Sequence, residues 1–162
     1  MSREGLMLRE IVRVGIRRAI ETGGYMPEIE CEGGDLIPNS GRVFLARRIS
    51  GFDTVSSPMR YMAIGTAVAT PALGDTTLPG EIKRKSSGVF SAQANNLYTN
   101  VCTFGGAADS VQSIQITEAG IFNHANSGFG TLFQRVTFPA VTLANSDILR
   151  LTLETLVGSN TI

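Results

Sequence analysis

From Glu81 to its end the chain repeats one pattern: short apolar or alternating runs, each closed by a cluster of Gly, Asn, Asp or Ser. Partial alternation along these runs is the period of a strand with one face buried, the pattern of an all-β unit. The predicted strands span residues 82–87, 89–93, 97–104, 113–123, 131–136 and 148–156. Short strands at this spacing imply a sandwich or barrel, and the fold class expected is mainly β, an antiparallel β-sandwich of jelly-roll-like type. Residues 148–156 carry Ile148, Leu149, Leu151, Leu153 and Leu156, a mixture of alternating and continuous apolar positions that suits a strand covered on both faces. Within ITEAGIF, strand geometry puts Ile114, Ile116 and Gly120 on one face, with the following Asn, Ser and Gly loop turning the chain back into TLFQRVTF.

The part before Glu81 is more mixed. Residues 6–20 read LMLREIVRVGIRRAI, with Leu8, Ile11, Val12, Ile16, Ala19 and Ile20 close to helical spacing. An amphipathic N-terminal helix is expected there, ended by Gly23 and Gly24. Arg9, Arg13 and Arg17 follow one another four apart and would line one side of it, so Leu8, Ile11, Val12 and Ile16 with these arginines form the candidate docking face for a partner. Glu28, Glu30 and Glu32 alternate with Ile29 and Cys31, which predicts an extended segment with a solvated acidic edge that discourages stray strand pairing. A boundary at Gly33 and Gly34 would separate an arm, residues 1–34, from a β-sandwich body, residues 35–162. One short additional helix is expected over IPNSGRVFLARRISG, capped by Asn39 or Ser40 and stopped at Gly51. A strand over residues 59–68 follows, then a loop punctuated by Pro71, Gly74, Pro79 and Gly80.

Charge narrows the function classes. Fourteen basic and 14 acidic residues cancel, which removes the electrostatic case for duplex nucleic acid, where many Lys and Arg displace phosphate counterions. The basic groups Arg47–Arg48 and Lys83–Lys85 lack the interleaved aromatics of a single-strand track. No run approaches the roughly 20 apolar residues of a membrane-spanning helix, and Arg3, Glu4, Arg9, Glu10 and Arg13 occupy the place of a secretory signal. Synthesis and folding in a cytoplasm are therefore expected. Cys31 and Cys102 fit no metal-binding spacing and read as two separate reduced thiols, a bridge between them requiring Cα atoms within about 7 Å.

Reactive constellations are hard to assemble from what remains. His124 is the only histidine, in the loop IFNHANSGFG, with no nucleophile elbow and no phosphate-binding glycine loop nearby. Asp75, Glu81 and Glu118 are the candidate carboxylates for acid/base work; their expected role is a structural polar network, Asp75 bracing its own turn and Glu118 pairing with Arg84 or Arg135. No catalytic residue, cofactor site or metal site is expected.

Three stretches, in order and at similar gaps, carry a resemblance: IPNSGRVFLARRISG, MRYMAIGTAVATPALGDTTLPGEIKR and ITEAGIFNHANSGFGTLFQRVTFPAVTLANSDILRLTLE. Together they resemble virion structural proteins of tailed bacteriophages, of the tail-fibre, collar and decoration type, over roughly residues 37–156. The resemblance implies a β-sandwich module without cofactors that assembles with copies of itself and with portal, neck, tail or major capsid proteins. It implies location in the virion after synthesis in a bacterial host, with a neck, tail or baseplate accessory preferred over a capsid decoration or cement protein. A receptor- or carbohydrate-binding module is the rival from another class, and it predicts exposed loop aromatics such as Phe129 and Phe133.

Overall fold

The computed structural model describes residues 7–17, 29–31, 35–52, 57–92 and 97–158, with side chains described for 36–52, 57–88 and 98–155. Among these the chain is mainly β: β1 (Met7–Arg17), β2 (Ile29–Cys31), β3 (Asp35–Leu36), α1 (Asn39–Ile49), β4 (Tyr61–Gly65), β5 (Glu81–Ser86), β6 (Gly88–Ala92), β7 (Leu97–Gly105), β8 (Gln115–Phe122), β9 (Leu132–Thr142) and β10 (Ile148–Gly158). The strands form two antiparallel sheets, ordered β2-β1-β10-β7-β6 and β3-β9-β8-β4-β5. The hairpin β6–β7 supplies two strands of the first sheet and the hairpins β4–β5 and β8–β9 supply four of the second, while the pairing of β1 with β10 joins the two ends of the described chain.

The segment expected to be an N-terminal helix is the strand β1, paired residue by residue with β10 from Met7↔Gly158 to Arg17↔Ile148. Two features of the sequence favour this outcome. Ile11, Val12, Val14 and Ile16 are β-branched and lose rotamer freedom in a helix, and Gly15 in a helix interior costs about 1 kcal/mol relative to Ala. The same run also alternates, with Leu8, Val12, Val14 and Ile16 all at even positions, so it satisfied two periods at once and the long partner β10 selected the strand. The set assigned to one docking face is thereby split by parity: Leu8, Val12 and Ile16 are even, whereas Ile11 falls with Arg9, Arg13 and Arg17. Gly33 and Gly34 lie outside the described residues; β2 and β3, on either side of them, belong to different sheets.

Buried residues of both sheets form one hydrophobic cluster. Met62 and Ile64 of β4, Ala119 and Ile121 of β8 and Val136 of β9 meet Cys102 and Phe104 of β7 and Leu149, Leu151 and Leu153 of β10. β10, central in its sheet, is buried from Leu151 to Thr155 on alternating faces. The second sheet is also covered on its far face, where Ala63, Leu78, Phe122 and Leu132 make a smaller cluster. Leu78 comes from the connection between β4 and β5, so that connection is a lid over the sheet.

Irregularities in the β8–β9 ladder correct the expected face of ITEAGIF. Glu118 pairs with Thr137 but Ile116 with Val141, so Phe138, Pro139 and Ala140 bulge from β9, where Pro139 needs to donate no ladder hydrogen bond. The shift places Ile116 in the main core with Ala119 and Ile121. Gly120 instead faces the lid, where a Cβ would lie 2.4 Å from Leu78 Cδ1.

Helix α1 begins after Pro38 with no side-chain cap. Ser40, expected as a cap, instead donates from Oγ to the carbonyls of Leu132 (2.8 Å) and Asp75 (3.3 Å). Gly41 lets the helix close onto β9, since a Cβ there would stand 2.2 Å from the Phe133 carbonyl oxygen. Cys31 and Cys102 sit on strands separated by β1 and β10. Three interstrand spacings put them about 14 Å apart, twice the reach of a disulfide.

Candidate functional site: a buried ion-pair network under the lid

The lid carries no charge from Thr66 to Gly74, then supplies Asp75. What fixes it is a charged cluster beneath. β8 presents Glu118 and β9 presents Arg135, which are 0% and 1% exposed. Arg135 Nε donates to Glu118 Oε2 at 3.0 Å, and Nη2 pairs electrostatically with the same oxygen at 2.9 Å. The other carboxylate oxygen, Oε1, accepts the N–H of Gly80 at 2.9 Å and of Ala67 at 3.3 Å. Arg135 Nη1 reaches Asp75 Oδ2 at 2.7 Å, and Nη2 also donates to the Ala69 carbonyl at 3.0 Å. Thr117 Oγ1 closes the set on the Ala67 carbonyl at 3.0 Å.

This arrangement meets the condition for a buried charge, that it be paired and hydrogen-bonded on every side. Both oxygens of Glu118 are occupied by the chain's own donors, and Asp75 Oδ2 additionally accepts the Ala72 N–H at 2.9 Å. Burial alone would raise the Asp75 pKa, but the Ala72 amide and the Arg135 guanidinium outweigh it and hold the carboxyl below its ordinary value. Gly65 is required by the same packing: a Cβ there would come within 2.4 Å of Glu118 Oε1 and 2.7 Å of the Gly80 carbonyl.

Of the candidate network residues, Asp75 and Glu118 therefore meet, through Arg135. Glu81 and Arg84 form a second pair, with Arg84 Nε and Nη2 donating to the two Glu81 oxygens at 2.8 and 2.7 Å. The Arg84 guanidinium lies 3.6 Å over the Phe122 ring. Its Nη1 donates to three carbonyls of the β8–β9 turn, those of His124, Asn126 and Phe129, at 3.1, 3.0 and 2.9 Å. A buried guanidinium thus holds the turn from within. Alternation along a strand is the signal that separates Arg84 from its basic neighbours: Lys85 points the other way, pairing with Asp109 at 2.9 Å. Burial raises the Asp109 pKa, and the hydrogen bonds from Lys85 and the Gly105 N–H more than reverse this, leaving it lowered.

His124 accepts the Asn126 N–H at Nδ1 and packs beside Phe129, ring centroids 5.6 Å apart. Phe129 is 63% exposed, whereas Phe133 is 6% exposed and meets Tyr98 edge-on. The described surface includes open depressions of about 370 and 360 Å³. Lys85, Asp109, Asn145 and Asp147 line the first, and Glu81, Lys83, Asn126 and Ser127 the second. In the first, Lys85 and Asp109 are committed to each other, and Asp147 accepts the Ala144 N–H. Among the described residues no group of three His, Cys, Asp or Glu side chains is placed to hold a metal ion. The candidate docking residues of β1 lie where side chains are not described.

Compared with protein-family models, with curated proteins and with solved structures, the chain matches none of them.

Proposed function

We propose that this chain is a non-enzymatic structural subunit of a tailed-phage virion, a β-sandwich module that oligomerises and docks onto neighbouring head, neck or tail proteins. A neck, tail or baseplate accessory is the preferred position, with capsid decoration or cement next. The two sheets sharing one core supply the sandwich, and the pairing of β1 with β10 is its jelly-roll-like element.

One observation carries the reading. The second and third of the stretches that resemble virion proteins meet at the buried Arg135, the second giving Asp75 and Ala69 and the third Glu118 and Arg135 itself, and Ser40 of the first fastens to the Asp75 carbonyl. The most distinctive residues of the pattern are consumed in holding the lid, which suits a rigid building block and leaves Glu118 no free oxygen for general acid/base work. With β1 in the sheet, a projecting N-terminal helix is no longer part of the proposal. A receptor- or glycan-binding role draws support from the exposed Phe129 on a turn braced by Arg84.

Quantitative mass spectrometry of gradient-purified particles tests the reading. The expected result is a fixed number of copies per particle; particles of full infectivity that lack the chain would overturn it.

A further inference from the structure

The neutral total charge hides a separation along the chain. Residues 19–35 carry Glu21, Glu28, Glu30, Glu32 and Asp35 and no base, while residues 36–52 carry Arg42, Arg47 and Arg48 and no acid. The basic half is the helix α1 and its flanks. Against β9 this helix buries Gly41 and half-buries Phe44 and Leu45. The stripe facing solvent holds Arg42, Val43, Ala46, Arg47 and Ile49, with Phe52 just beyond.

Exposed large apolar residues lie on the helix, just beyond it and on the lid. Val43, Ile49 and Phe52 are 50%, 75% and 90% exposed, and Val68 and Leu73 of the lid are 80% and 46% exposed. Helix and lid are joined, since the Asn39 N–H donates to the Leu73 carbonyl at 2.9 Å. A helix face that is basic, apolar and free of acid fits an acidic, apolar counterpart.

We infer that α1 is the docking surface for a second copy of this chain, which presents the acidic stretch around its edge strand β2. Charge complementarity chooses the occupant. Arg42, Val43, Ala46, Arg47 and Ile49 are exposed, and α1 packs on β9, in the sheet that does not hold β2, so this face is open to a neighbour's acidic strand. β2 is three residues long and pairs on one side with β1, which leaves it at the border of its sheet. A contact from α1 of one copy to β2 of the next joins unlike surfaces, and repetition closes a ring where the rotation allows. An 11-residue helix is about 16 Å long, so a single contact is weak and salt-sensitive, and closure holds the assembly by multivalency. The inference deepens the assembly reading above.

The test is sedimentation of the purified full chain at about 0.05 M and about 1 M salt, with charge swaps on each side. The wild type sediments as an oligomer that loosens at high salt. Arg42→Glu with Arg47→Glu, or Glu28→Arg with Glu30→Arg and Glu32→Arg, weakens association by about tenfold or more, with the folded circular-dichroism spectrum retained. Mixing the two variants restores it, because each then offers the surface that the other lacks. Glu30→Lys alone is the milder variant should the triple swap disturb β2. A wild type that stays monomeric at every concentration, an oligomer indifferent to both swaps, or a mixture that fails to recover each overturns the contact. Loss of the Arg42/Arg47 variant from particles while the wild type is monomeric assigns α1 to a different virion protein and overturns it too. Self-association of a chain that is missing from particles leaves the contact standing and removes the virion reading.

Discussion

Arg135 and Glu118 face each other across neighbouring strands with no solvent between them, the guanidinium Nε and Nη2 lying 3.0 and 2.9 Å from a single carboxylate oxygen. The pair lies under a loop that it fastens, so its removal acts on two layers of the fold.

Glu118→Gln leaves Arg135 buried beside a neutral partner, and Arg135→Met leaves Glu118 as a buried charge. Each is expected to destabilise by about 3–5 kcal/mol in urea unfolding. The double variant is expected to lose clearly less than the sum of the two. Asp75→Asn keeps an acceptor for the Ala72 N–H and is more exposed, so its cost is about 1 kcal/mol.

Acid stability follows from the two lowered carboxyls. Asp75 and Asp109 have folded pKa values below the unfolded value of about 3.9. Their contribution is therefore fully present above the unfolded value and is lost as the pH falls from there through the folded values. Unfolding midpoints should stay level from neutrality down to about pH 5 and then drop. Asp75→Asn and Asp109→Asn together should flatten that drop.

The buried thiol of Cys102 is pushed up to about 11 by desolvation. In the native chain it should react with a disulfide reagent far more slowly than in urea, since the thiolate is the nucleophile. Cys31 and Cys102 should remain unpaired in the monomer after oxidation, seen as an unchanged intact mass and two alkylatable thiols per unfolded chain.

Arg84→Lys replaces a forked guanidinium, held by Glu81 and three carbonyls, with a point charge that cannot span them. Amide exchange over residues 124–130 should accelerate about tenfold or more through local opening, while β8 keeps its protection. Equal acceleration in both would mean that the turn is not held by Arg84.

How much of this was legible in the sequence varies by element. The strands after Glu81 read correctly because each run is bounded by turn residues and has one dominant period. Their ends did not: β9 runs on to Thr142 through Pro139, since a bulge excuses a proline that a regular ladder would reject. The N-terminal segment fitted two periods, and the choice was made by β10, more than 130 residues away along the chain, which no local pattern reports. Asp75 and Glu118 were recognisable as members of one polar network, but Arg135 as their common partner depends on a strand register, and the grip of Arg84 on the turn depends on tertiary contacts. The exposed stripe of α1 was visible only once Gly41 and Phe44 fixed which side faces β9.

The most direct test of the central claim is a cryo-electron microscopy reconstruction of the intact phage. The account predicts density for two five-stranded sheets, repeated around a symmetry axis of the head, neck or tail. A complete particle map in which every density is assigned to other chains would contradict it.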